Sequence, residues 1–82
     1  MTENLNNVLL GNMDSKLLGL IVLRERKAQK LRQAELAAAA GVGIRLIVDL
    51  EAGKPTLQLE KALHVLATLG CDLTIVPPAG NP

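Results

Sequence analysis

Five of the nine Lys and Arg residues, Arg24, Arg26, Lys27, Lys30 and Arg32, fall within nine consecutive positions, opposed there only by Glu25. Cations at that density can hold phosphate, or can simply form a solvated helix face. Directly downstream lies Gln33 to Gly53, QAELAAAAGVGIRLIVDLEAG. It reads as two short helices hinged at a glycine, with small residues where the helices must touch. Such a crossing needs a compact side chain at the contact and a residue free of Cβ strain in the turn. Ala37 and Gly41, four residues apart, supply them, and Val42, Ile47 and Leu50 give the inward apolar positions. A helix-turn-helix beside a cation cluster points to binding of duplex DNA, with the cluster facing phosphate.

The remaining reactive side chains form no catalytic constellation. His64 follows Glu60 by one helical turn and reads as a surface residue, with no Ser, Cys, Asp or Glu placed to make it a base. Cys71 is the only cysteine, which excludes an internal disulfide and a cysteine zinc site. It reads as a small buried or interface hydrophobe, and Asp72 beside it would raise rather than lower its pKa. Asp49 and Glu51 are two positions apart on a helix and point to different sides, so they make no metal site. Neither enzymatic activity, a metal nor a cofactor is expected.

Bulk composition narrows the classes further. The 82 residues make one small domain with a net charge of +1, so the chain as a whole is not a polycation. Phe, Trp and Tyr are absent. Stacking of unpaired bases on aromatic rings is therefore excluded, which argues against most single-strand binders. A core of Leu, Ile, Val, Ala and Met in so short a chain is marginal alone, and dimerisation is the obvious remedy. The longest apolar run, Leu17 to Leu23, is seven residues and cannot span a bilayer. Glu3 and several Asn residues stand where a secretion signal would be basic, so a cytoplasmic location and no membrane partner are expected.

The elements that must position these residues can be read in order. Residues 1–13 form a loose arm with an apolar knot at Val8-Leu9-Leu10. Asp14 or Ser15 caps a helix from about Ser15 to Gln29, with Leu18, Val22 and Ile21 toward the core. Leu17, Leu20 and Leu23 fall on its other sides, an all-round apolar pattern that a partner chain would cover. Lys30-Leu31-Arg32 carries no strong break signal, but Leu31 and Leu36 fall on mismatched faces unless the helix ends there. Ile44 to Ala52 forms the third helix, stopped by Gly53, and Pro55 prevents its continuation. Thr56 can cap a fourth, about Leu57 to Leu69, whose buried stripe is Leu59, Ala62, Leu63, Leu66 and Leu69. Cys71, Asp72, Leu73, Thr74, Ile75 and Val76 alternate in period two and read as a strand closed by Pro77-Pro78. A lone strand leaves its backbone unpaired. Its partner would be the same strand of a second copy, or Val8–Leu10; otherwise the segment is an extended tail.

The pattern Leu18-Gly19, Val22, Arg26, Leu31, Gln33, Glu35-Leu36-Ala37, Ala40-Gly41-Val42, Ile47, Leu50-Glu51 and Gly53-Lys54 resembles the Cro/C1 (XRE-type) helix-turn-helix family over about residues 15–70. The fourth helix running directly into Cys71–Val76 is similar to the HipB-type antitoxins, dimeric autorepressors that also bind a HipA-type kinase toxin. The resemblance implies an all-α, four-helix, lambda-repressor-like domain (14–70), flanked by the 1–13 arm, a dimerisation strand (71–77) and a tail (78–82). It implies that Gln33 bonds a phosphate or base edge, and that Ile44, Arg45, Val48 and Asp49 face the major groove. Gly43 would let backbone amides approach phosphate. Arg26 and Glu51 correspond to a partly buried ion pair. Arg24, Lys27, Arg32 and Lys54 are the candidate phosphate contacts.

Three departures matter. Relatives often carry Gly where Lys30 stands and Thr where Arg32 stands, so the capping box with Glu35 is half missing. A polar residue is commoner where Val48 stands, leaving Arg45 as the sole outward cation of the reading helix. Arg45 can pair bidentately with guanine, Ile44 and Val48 can pack on thymine methyls, and Asp49 can accept from cytosine or repel phosphate. The expected function is a sequence-specific repressor and antitoxin that controls its own operon. The alternative is an interaction module that neutralises a toxin with weak or lost DNA binding.

Overall fold

The computed structural model describes residues 13–55 and 58–78. Four helices follow in order: α1 (Ser15–Ala28), α2 (Gln33–Ala40), α3 (Ile44–Glu51) and α4 (Leu59–Thr68). The expected arm, apart from Met13, and the expected cap at Thr56 lie outside the described residues.

Asp14 starts α1: its backbone is extended and its carboxylate accepts from the Leu17 N–H at 2.8 Å. Glu35 starts α2 by accepting from the Arg32 N–H at 2.7 Å. The reciprocal half of that box is missing because an Arg side chain has no acceptor. All four helices then end alike. A residue in the left-handed region lets two successive N–H groups turn back onto the carbonyls of the last turn. Those residues are Lys30 (φ 59°), Gly41 (70°), Gly53 (78°) and Gly70 (81°). At α1 the bonds run from Lys30 N to Lys27 O (2.9 Å) and from Leu31 N to Arg26 O (3.1 Å). The break after α1 is thus made with a lysine doing what glycine does at the other three ends.

The core is Val22 of α1, Leu36, Ala37 and Ala40 of α2, Ile47 and Leu50 of α3, and Ala62, Val65, Leu66 and Leu69 in and after α4. Leu18, Ile21, Leu31, Val42 and Cys71 pack on it half-buried. Helix α3 sits between α1 and α2, and α2 also carries α4. Gly19 makes the α1–α3 crossing possible, because a Cβ there would strike the backbone carbonyl oxygen of Leu50. Two polar ties close the frame: Ser15 Oγ donates to Gly53 O (3.0 Å), and Gln29 Nε2 donates to Leu69 O (2.7 Å).

Two expectations are corrected. The buried stripe of α4 is Ala62, Val65, Leu66 and Leu69, while Leu59 is 64% and Leu63 39% exposed. Both sets satisfy helical spacing; only the direction from which α2 approaches decides between them. The expected strand over Cys71–Val76 is not formed: residues 71–78 have no regular secondary structure, and no strand occurs among the described residues. A strand requires a ladder partner, and the single chain offers its backbone none there. Leu73, Ile75 and Val76 are left exposed, Ile75 at 87%. On α1, Leu17 and Leu23 are half-buried and Leu20 is exposed.

Candidate nucleic-acid interface

Helix α3 is amphipathic in a way that fixes which side faces out. Ile47 and Leu50 are fully buried, which turns Ile44 and Arg45 into solvent and leaves Val48 and Asp49 half-buried beside them. The bend before it is the left-handed Gly41. Gly43 precedes the first turn with extended backbone and open space around it, and no side chain caps that turn. Its first N–H groups are therefore free to meet an anion.

Asp49 is the centre of charge on this face. Its Oδ1 lies 3.4 Å from Arg45 Nε and its Oδ2 lies 3.7 Å from Lys54 Nζ. The Arg45 contact follows from i,i+4 spacing on one helix. The Lys54 contact depends on the reversal at Gly53, which folds the chain back along α3, and only the structure shows it.

Behind this face lies a second polar group. Arg26 Nε donates to Glu51 Oε2 at 2.6 Å, and Arg26 Nη2 donates to Glu51 Oε1 at 3.0 Å. Arg26 Nη1 donates to the Leu31 carbonyl at 2.8 Å. Both side chains are nearly buried. The hydrogen bonds to Glu51 hold the Arg26 guanidinium above its ordinary pKa, against the opposing effect of burial. The pair ties the C-terminal half of α1 to the end of α3.

Gln33 belongs to this group. Its Nε2 donates one hydrogen bond to Glu51 Oε1 at 3.0 Å from a half-buried position. The amide nitrogen carries two hydrogens, so its second N–H can still meet a phosphate while the first holds Glu51. Arg32 stands in solvent beside Glu35, with Nε 3.5 Å from Oε1. The Arg32 backbone N–H, then its side chain, hold the Glu35 carboxyl below its usual range. Arg24, Lys27 and Lys54 are exposed. No buried side-chain polar atom among the described residues lacks a partner, and no cluster of three or more metal-ligating side chains occurs among them. No described helix is long and apolar enough to cross a membrane.

Residues 22–76 match the model of a family described as helix-turn-helix. The chain belongs to the Cro/C1-type (XRE) helix-turn-helix family. It is also 61% identical over 61 residues to a protein of Sinorhizobium fredii (strain NBRC 101917 / NGR234), "Uncharacterized HTH-type transcriptional regulator y4mF". That alignment covers 74% of this chain and 80% of the relative. The family's helix-turn-helix is here α2, the Gly41 bend and α3.

Proposed function

We propose that the chain is a double-stranded-DNA-binding transcriptional repressor that places Ile44 to Asp49 of α3 in the major groove. The observation that carries this reading is the orientation of α3. Its apolar face is consumed by the core, and its only guanidinium stands in solvent at the helix start. Membership of the XRE family and the transcriptional-regulator name of the Sinorhizobium relative support it. Gln33, Gly43, Arg32 and Lys54 flank the helix as phosphate-side contacts, and Arg45 reads a base edge.

The working unit in this proposal is a homodimer in the cytoplasm. Leu73, Ile75 and Val76 support it, because the single chain leaves them uncovered, and pairing Cys71–Val76 with a second copy would cover them. We further infer an antitoxin that represses its own operon and holds a HipA-like kinase toxin; this rests on the sequence resemblance of α4 and residues 71–76 to HipB-type proteins, and not on any strand formed by the single chain. A second reading, an interaction module with weak DNA binding, draws on Leu59 and Leu63 exposed on α4 and on the carboxylate between the two cations of the reading face.

The test is a mobility-shift titration on the duplex upstream of the chain's own gene and on a random duplex, at two salt concentrations. The repressor reading expects a shift with clear preference for the upstream duplex. Arg45→Ala should then erase about 1–3 kcal/mol of that preference. A steep salt slope with no preference, or no shift at all, favours the interaction module.

A further inference from the structure

We propose that Asp49 is a specificity-determining residue, a built-in counter-ion that lowers what Arg45 and Lys54 gain from any phosphate and aims the Arg45 fork at base edges. This rests on the DNA-binding reading above and deepens it.

The geometry supplies both halves of the role. One carboxylate spans two cations that come from different parts of the chain, Arg45 at the start of α3 and Lys54 beyond its end. Arg45 approaches Asp49 through Nε, at 3.4 Å. This contact is an ion pair and not a hydrogen bond; it draws the Nε side of the guanidinium toward the carboxylate and leaves the two Nη groups for a ligand. That Nη pair is what a guanine O6/N7 edge accepts. Meanwhile the trio carries a net +1 instead of +2, and its carboxylate meets any phosphate that approaches either cation. Non-specific affinity scales with the number of phosphates neutralised. A duplex without a matching base edge therefore gains little from this face. A duplex with one gains the bidentate pair while Asp49 stays paired with the Nε side.

Exposed ion pairs of this kind add little to stability. Nor does the trio brace the core, since Arg45 and Lys54 are both well exposed. Its consequence must be sought in binding.

The experiment compares wild type, Asp49→Asn and Arg45→Lys on a random-sequence duplex and on the chain's upstream duplex across a salt series. Circular dichroism melts check that each variant is folded. Asp49→Asn keeps the shape and an acceptor oxygen but removes the charge. It is expected to bind the random duplex several-fold more tightly. Its slope of log K against log salt should steepen by about one, and its preference for the upstream duplex should fall. Arg45→Lys keeps the charge but loses the fork, and should lose preference without that gain on random DNA. Unchanged or weaker binding of Asp49→Asn to the random duplex, with wild type still binding, overturns the role of Asp49 alone. Failure of folded wild type to bind either duplex overturns the DNA reading, and the role of Asp49 with it.

Discussion

Arg26 and Glu51 meet edge to edge across 25 residues of chain, with Nε–Oε2 at 2.6 Å and Nη2–Oε1 at 3.0 Å. Gln33 donates to the same Glu51 Oε1 at 3.0 Å, so one carboxylate joins the first three helices. Replacing a buried pair by apolar groups can be neutral, but removing one partner strands a charge. Glu51→Gln should therefore lower stability by about 3 kcal/mol, a large share of what a domain this small has. Urea unfolding followed by circular dichroism measures it. A loss under about 1 kcal/mol would show that the pair is solvated like an exposed one.

Gly19 packs directly on the end of α3. Gly19→Ala would gain helix propensity of about 1 kcal/mol. It would also drive a methyl group into the backbone oxygen of Leu50, which no side-chain rotation can relieve. Overpacking should win, for a net loss of about 1–3 kcal/mol and a lower Tm. A Tm equal to wild type or above it would mean that α1 and α3 can part without cost.

Lys30 is the one non-glycine with positive φ among the described residues, at 59°. The other three helix ends place glycine in that role. Lys30→Gly should relieve left-handed strain of about 1 kcal/mol, partly offset by a more flexible unfolded chain. The expected outcome is a small rise in Tm. A fall in Tm would show that the lysine side chain contributes more than its backbone costs.

The Cys71 thiol is pushed above its ordinary pKa by burial first, then by the charges of Glu25 and Asp72. The fold therefore favours the protonated thiol. That contribution is present below the unfolded thiol pKa and is lost as pH rises through the folded value. Because only the thiolate reacts, alkylation near pH 8 should be slower in the folded chain than in urea. The difference should shrink as pH rises. Folded protein reacting as fast as unfolded at that pH would contradict the assignment.

How much of this was legible in the sequence depends on how local each cause is. The cap at Asp14 or Ser15, the glycine stops after α2, α3 and α4, and the inward positions Ile47 and Leu50 are set by residues close in sequence and are legible there, with the structure choosing Asp14 for the cap. The Arg26–Glu51 pair was reached through family resemblance; spacing alone joins no residues 25 apart. Periodicity omits Val65 and puts Leu59 and Leu63 inside, because it gives a stripe's width but not the direction of the neighbouring helix. The break at Lys30 is only weakly legible, because nothing in a lysine announces a left-handed backbone. The bond of Gln33 to Glu51 is not legible in the sequence, because it arises only once α2 and α3 cross. Residues 71–76 alternate like a strand, yet alternation does not provide the second edge that a strand needs.

The central claim is that α3 is the surface a duplex meets. The direct test is a titration of isotope-labelled protein with the upstream duplex, followed by the backbone amide shifts. The account expects the large changes at Gly43 to Asp49, with smaller ones at Arg32, Gln33 and Lys54. Changes confined to α4 and residues 71–76, with Gly43 to Asp49 unmoved, would contradict it.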